Sequence, residues 1–357
     1  MMLRTLWLKA HRWVGLAIAA PLIVVALSGS VLVFEDALDR ALNPRLSYVV
    51  PGDRSLSLDE LARKARAAYP DAQLGSFTFP EQRDHALQIS AVAKPESFTI
   101  SIDQYTGAIL GTRSSAEREA GLARRIHLLH TRLFAGQAGE WTVGLITALT
   151  LFMAIAGLVL WWPGKILAPR RGASARRLNF ELHNVFGLYA SAVFLFIALT
   201  GMMISFEQWT DPLFRRLDAA PVPQLPRESA DGGAATVTAD AVAGAAQQAL
   251  PGAFLKGIVI PNGGNGAIVA MMKFPEDRTP GGRSRVAIDQ HSGRVLTVIS
   301  TRSAPAGTRL VNLKRSAHTG DIFGAPTRAL YFVTCLLLAG QVVTGVLIWL
   351  KRPRAKK

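Results

Sequence analysis

Four of the seven histidines in this 357-residue chain fall into two matched pairs, and they are the side chains best placed to do chemistry. His11 opens the run His-Arg-Trp-Val-Gly and His183 the run His-Asn-Val-Phe-Gly. Each is followed 24 residues later by a glutamate, Glu35 or Glu207, with Leu-Ser-Gly or Leu-Thr-Gly shortly before it. His130-Thr131 and His318-Thr319 each precede a glycine, Gly157 or Gly345, by 27 residues. A neutral imidazole is a good haem-iron ligand, and two imidazoles on facing helices can clamp one iron to give a centre suited to electron transfer. A closed zinc site usually needs four ligands, and neither pair comes with a carboxylate cluster. Histidines at membrane interfaces also simply bond headgroups or cap helices. Four residues obeying two symmetry relations favour ligation by His11, His183, His130 and His318.

Around these ligand candidates, Gly15 and Gly187 each lie one turn from a histidine on the same helix face, where a missing side chain leaves room for a flat macrocycle. His127 precedes His130 by three residues and has Arg315 as its repeat partner; it takes a secondary role, as a propionate contact, a support for the ligand or an alternative ligand. Arg124, Arg125, Lys314 and Arg315 are cations of the kind that pair with propionates or snorkel at an interface. Glu35 and Glu207, at matched depth, suit a proton or cation path or are merely solvated. His85 and His291 do not read as ligands. Ser28-Gly29 and Thr200-Gly201 read as small residues for close helix packing, and Trp161, Trp162 and Trp349 as an interfacial aromatic belt.

The elements that must position these residues are membrane helices. Half of the chain is hydrophobic and 18% is charged, which excludes a disordered protein. Four charge-free stretches, 13–34, 141–163, 182–206 and 329–350, are each at least 22 residues long, enough to cross about 30 Å of hydrocarbon. The net charge of +15 would suggest a nucleic-acid partner in a soluble chain. Its distribution argues against one, because residues 1–12, 163–182 and 351–357 carry +12 of it beside the helices. The positive-inside rule places those flanks, and both termini, in the cytoplasm. The two long connections then lie outside, in the periplasm of a two-membrane host. The first apolar run is longer than a signal-peptide core and lacks a clear cleavage site. Cys335, the single cysteine, lies within the fourth span and has no intramolecular partner.

The expected fold is an integral membrane four-helix bundle built from a parallel internal repeat, with its pseudo-twofold axis along the membrane normal, and two extracytoplasmic α+β domains. The expected boundaries are 1–36 for the first span with its cytoplasmic N-terminus, 37–115 for the first outer domain, and 116–140 for an outer interfacial segment with His127 and His130. The second span covers 141–163, a basic cytoplasmic loop 164–181 and the third span 182–208. A linker and second outer domain occupy 209–304, a second interfacial segment with His318 occupies 305–325, the fourth span 326–350 and a basic tail 351–357. Residues 58–69 and 237–250 predict helices, the first beside a Ser-Leu-Asp-Glu cap. Alternating runs at 75–80, 86–92 and 97–102 predict strands, followed by a turn at Asp103–Gly107 that is echoed at Asp289–Gly293. Residues 219–236, rich in Pro, Gly and Ala, read as a flexible linker.

No dinucleotide fingerprint, phosphate loop or cysteine cluster occurs; the run Gly263-Gly-Asn-Gly266 opens no helix. No nucleophile lies beside a base in a hydrolase setting. The His11-Arg-Trp-Val-Gly-Leu, His130-Thr-Arg-Leu-Phe-Ala-Gly, His318-Thr-Gly-Asp-Ile-Phe-Gly and Gly-Leu-Val-Leu-Trp-Trp motifs, with the Leu-Ser-Gly and Leu-Thr-Gly runs, resemble the PepSY-associated transmembrane family over nearly the whole chain. The closest likeness is to its iron-regulated, ferric-siderophore-reductase branch. That resemblance implies four helices, two PepSY domains outside and two b-type haems, with His11, His183, His130 and His318 at the matching positions. It also implies an inner-membrane oxidoreductase in iron uptake, with a cytoplasmic or membrane electron donor and a ferric siderophore or other ferric chelate as acceptor. Arg132 stands where the second motif has Gly320, so the outer motifs are unequal. Membrane lipid is the remaining expected partner. Two rivals stay open: a non-enzymatic scaffold whose outer domains bind or regulate a protease, and a metal or proton transporter using Glu35 and Glu207.

Overall fold

The computed structural model describes residues 2–221, 223–229, 236–261 and 265–351. The tail beyond Lys351, residues 222 and 230–235 of the linker, and Gly263 and Gly264 of the glycine run lie outside the described residues. In chain order the elements are α1 (Met2–Leu32), α2 (Glu35–Leu42), α3 (Pro44–Ser47), α4 (Leu58–Ala68), β1 (Gln73–Thr78), β2 (Leu87–Ala93), β3 (Glu96–Ile102) and β4 (Ile109–Ser114). There follow α5 (Ser115–Ala120), α6 (Leu122–Arg132), α7 (Gly136–Trp161), α8 (Ala175–Ser205) and α9 (Glu207–Arg215). The remainder is α10 (Ala239–Ala249), β5 (Phe254–Val259), β6 (Ile268–Lys273), β7 (Ser284–Ile288), β8 (Val295–Ile299), α11 (Ala306–Thr319), a short 3₁₀ turn (Asp321–Phe323) and α12 (Ala325–Leu350).

The chain divides into two units. One contains residues 1–35, 123–213 and 313–357; the other contains 36–122 and 214–312. In the helical unit, α1, α7, α8 and α12 are long and apolar enough to cross a membrane. At 1.5 Å per residue, the 26 residues of α7 or α12 span about 39 Å, more than the hydrocarbon thickness. α1 and α8 match in length at 31 residues. Each of them packs against both α7 and α12, so α1 and α8 occupy opposite corners of the bundle. Ile18, Leu22 and Ile146 are buried between helices, whereas Leu145 on α7 and Val333 on α12 are more than half exposed, as side chains facing lipid must be. Hydroxyls within the spans turn back on their own helix: Thr150 Oγ1 donates to Ile146 O and Thr334 Oγ1 to Leu330 O. Each of these two hydroxyls is thereby satisfied without water.

The second unit is one antiparallel sheet of eight strands in the order β4-β3-β2-β1-β5-β6-β7-β8. The strands of the two connecting segments, expected as separate small domains, join where β1 pairs with β5 through Phe77 opposite Ile258 and Thr78 opposite Gly257. Gly257 is required there, because a Cβ would stand 2.8 Å from the Phe77 carbonyl oxygen of the adjoining strand. A continuous core of Leu61, Phe77, Ile89, Ile100, Ile258, Met272, Val286 and Ile288 lies under both halves. Its covering helices are α4 and α10, whose inward residues Leu58, Leu61, Ala62, Ala65, Val242 and Ala246 recur at helical spacing. Ser57 caps α4 by accepting from Glu60 N, and Thr238 caps α10 by accepting from Ala241 N. Asp103 and Asp289 build equivalent turns, each accepting main-chain N–H groups two and three residues on. Gly107 and Gly293 supply the positive φ, 72° and 73°, that ends each turn.

Candidate functional site

The helical unit brings the four histidines together two by two. His11 on α1 faces His183 on α8, with ring centres 6.4 Å apart. His130 on α6 faces His318 on α11 at 6.3 Å. Two imidazole nitrogens each about 2 Å from a shared metal, plus the inner radii of two five-membered rings, add to about 6 Å. Both separations would let one metal ion be held between each pair; the ring planes differ by 84° for His11/His183 and by 39° for His130/His318. His11 lies against Gly157 near the end of α7, and His130 against Gly29 near the end of α1, so the pairs occupy opposite ends of the helical unit.

Hydrogen bonds define which nitrogen points inward. His130 Nδ1 lies 2.9 Å from Val25 O and His318 Nδ1 3.1 Å from Ile197 O. A carbonyl only accepts, so Nδ1 carries the proton in both and Nε2 keeps its lone pair. Burial, and after it the neighbouring His318, pushes the His130 imidazole down to about 4, and burial lowers His318 too. Both rings are therefore neutral at pH 7, the form that ligates. His183 Nδ1 lies 2.9 Å from Thr344 Oγ1, whose own proton goes to Gly340 O, so the hydroxyl oxygen accepts. The Nδ1 of His11 is buried without a partner. Among the described residues, no group of three or more His, Cys, Asp or Glu side chains is arranged to hold a metal ion. What the unit offers is paired imidazoles, a donor set that suits a metal whose remaining positions are filled by a macrocycle.

A cavity of about 380 Å³ surrounds the His130/His318 pair, lined on its apolar side by Leu22, Val25, Phe194, Ile197 and Leu338. Its polar lining includes Glu35, Arg124, His127, Arg132, Glu207 and Arg315. His127 Nδ1 is 3.4 Å from Glu35, which places it beside the cavity rather than between the paired rings. Glu207 accepts from Lys314 Nζ at 3.0 Å, and Asp211 accepts from the same nitrogen at 2.6 Å. Lys314 is thus held by two carboxylates, while Arg124 and Arg315 line the cavity and Arg125 is exposed.

Gly15 and Gly187 have other neighbours than a paired ring: a Cβ at Gly15 would meet the end of Met153, and one at Gly187 would meet Gln341. The glycines that touch the histidines are Gly29, Gly157, Gly201 and Gly345. Their signal was present in the sequence as matched Ser28-Gly29 and Thr200-Gly201 runs and matched Gly157 and Gly345, but nothing in the spacing said that a histidine from another helix would rest there. Thr344 carried no signal. The unequal outer motifs correspond to unequal turns: Gly320 has φ 82° and leads into the 3₁₀ turn, whereas after Arg132 the chain reverses through Leu133 and Phe134, both with positive φ. Arg132 pairs with Glu140. His85 packs on Tyr48, and His291 Nε2 contacts Asn265 Oδ1, both in the sheet unit.

The sequence model of the PepSY-associated TM region matches residues 8–352, and the chain belongs to that family. It is a multi-pass membrane protein, with four candidate spans among the described residues. Compared with curated proteins, the chain matches none.

Proposed function

We propose that the chain is a transmembrane electron-transfer protein that binds two b-type haems, takes electrons from a cytoplasmic or membrane donor and reduces a ferric chelate, such as a ferric siderophore, on the other side. The observation that carries this reading is the pair of imidazole pairs, at 6.4 and 6.3 Å, at opposite ends of one helical unit. A bound haem supplies reversible one-electron iron chemistry. His11 and His183 would hold one and His130 and His318 the other. The chain's own contribution is to keep the His130 and His318 rings neutral by burial, to orient three of the four rings through Nδ1 donors, and to surround the His130/His318 pair with apolar side chains. Arg124 and Arg315, beside the cavity, are suited to receive propionate carboxylates.

The proposed orientation follows the basic flanks, with both termini and the loop around Arg170–Arg177 in the cytoplasm of an inner-membrane protein. The sheet unit then lies in the periplasm, where the acceptor would be met. Matched lengths of α1 and α8 and of α7 and α12, together with the shared His, Gly and Glu spacing, support a parallel duplication. The identity of the acceptor follows the resemblance to the siderophore-reductase branch, since reduction releases iron from hard-oxygen chelators that prefer the ferric ion.

An oxidised-minus-reduced visible spectrum of the purified protein tests the haem, and a pyridine haemochrome assay should count two per chain. Vesicles loaded with reductant should then produce ferrous iron from an external ferric chelate. A colourless protein from haem-replete cells would overturn the reading and favour the scaffold or transporter.

A further inference from the structure

His130 and His318 approach their neighbouring spans in the same way. His130 rests on the last turns of α1, where the ideal Cβ of Gly29 would stand 2.9 Å from its Cε1 and 3.3 Å from its Nδ1. His318 rests on the last turns of α8, where the Cβ of Gly201 would stand at the same 2.9 and 3.3 Å. In each case Nδ1 reaches the carbonyl four residues before that glycine, Val25 O or Ile197 O. In each case the residue before the glycine places a hydroxyl beside Nδ1, Ser28 Oγ at 3.3 Å and Thr200 Oγ1 at 3.4 Å. Both hydroxyls give their own protons to their helix, Ser28 to Val24 O and Thr200 to Phe196 O. Each Ser/Thr-Gly pair is therefore a seat made only of acceptors, open enough for an imidazole to touch helix backbone.

We infer that Gly29 and Gly201, with Ser28 and Thr200, are positioning residues that fix the Nδ1–H tautomer of His130 and His318 and aim their Nε2 atoms at each other. A methyl group at either glycine falls inside van der Waals distance of the ring. The ring must move, and moving it breaks the bond to the span's carbonyl. The seats at the other pair are looser, with the Cβ of Gly157 3.5 Å from His11 Cε1 and that of Gly345 3.3 Å from His183 Cε1. The tight seats are thus peculiar to the His130/His318 end.

The inference rests on the haem reading for its consequence but not for its geometry, so two measurements separate them. In the full-length haem-loaded protein, Gly29→Ala and Gly201→Ala should lower the haem count from two toward one. They should also remove or shift one low-spin EPR signal, which reports the angle between axial rings, while the signal of the other centre persists as proof of folding. Gly244→Ala, on α10 of the sheet unit, whose added methyl meets nothing within 4 Å, should leave both signals in place. In full-length protein from haem-deficient cells, ¹⁵N-histidine NMR should show two Nδ1–H imidazoles that change tautomer in the two alanine variants. Ser28→Ala and Thr200→Ala should perturb the same resonances and Ser28→Thr should not. If both alanine variants keep wild-type EPR signals and tautomers, the inference is wrong. If the wild type binds no haem yet the tautomers respond as stated, the seats stand and the electron-transfer reading falls.

Discussion

Asp59 and Asp240 cap each other's helices. Asp240 accepts the main-chain N–H groups of Leu58 and Asp59 at the start of α4, and Asp59 accepts that of Ala239 at the start of α10. The exchange satisfies orphan donors at two helix ends and puts negative charge where both helix dipoles favour it.

The exchange makes sheet stability depend on acid pH. Burial alone would raise the Asp240 carboxyl, but the N–H groups of Asp59 and Leu58 outweigh it and hold the carboxyl below its ordinary value. A depressed carboxyl stabilises the fold above its unfolded value of about 3.9 and loses that contribution as pH falls through the folded one. Asp240→Asn should therefore cost about 0.5–1 kcal/mol at pH 7. The difference from wild type should close below about pH 4. Thermal melts followed by circular dichroism across pH 3–7 check both; a gap unchanged at low pH would refute the charge argument.

At the seam between the half-sheets, Gly257→Ala pits two effects against each other. Removing a glycine stabilises by about 0.4–1 kcal/mol through the unfolded chain. The methyl would stand 2.8 Å from the Phe77 carbonyl oxygen, a main-chain atom that cannot yield without parting β1 from β5, and overpacking of this kind costs about 1–3 kcal/mol. Net destabilisation is expected, together with faster amide exchange at Phe77 and Ile258. A stabilised variant would show that the seam is looser than described.

The ligand assignment predicts a division by pair. His183→Ala should remove one haem and leave the other, and His318→Ala should remove the complementary one, so that their reduced spectra sum to that of the wild type. Retention of both haems in either variant would defeat the assignment of that histidine.

Lys314 is about nine-tenths buried and bridges Glu207 and Asp211. Replacing it with Met keeps most of the volume but leaves two carboxylates facing each other. Because Glu207 is largely exposed, the loss should be about 1–2 kcal/mol, between that of a surface and a buried pair. A further Glu207→Gln change should restore part of it, as read by thermal melting in detergent.

Much of the helical unit was legible because lipid imposes a strong rule: an apolar run of about 20 residues is a span. Helix α4 was legible from its cap, and its observed bounds, Leu58–Ala68, depart from 58–69 by one residue. Helix α10, Ala239–Ala249, starts two residues later than expected because Thr238, rather than Val237, carries the cap. The strand at 75–80 runs instead from Gln73 to Thr78 because Pro80 cannot donate to a ladder. The β1–β5 pairing was illegible, since a single glycine opposite a threonine leaves no periodic mark. For the site, the types and spacing of His11, His130, His183 and His318 were visible, whereas the surfaces they rest on were not. Gly15 and Gly187 share a helix face with His11 and His183, but which glycine a ring rests on is decided by the neighbouring helix, and sequence distance carries no information about that.

The mutual caps join groups 182 positions apart in the chain, and the β1–β5 seam links the same two segments. During synthesis the first four strands must wait, with β1 an unpaired edge, until two more spans have been made and β5 arrives. Closing so long a loop is entropically slow, and an open edge is a template for wrong partners. The sheet therefore stays incomplete until the third span has been made, and a ribosome stalled at that point would leave half a sheet exposed to whatever chaperone or protease guards that side of the membrane.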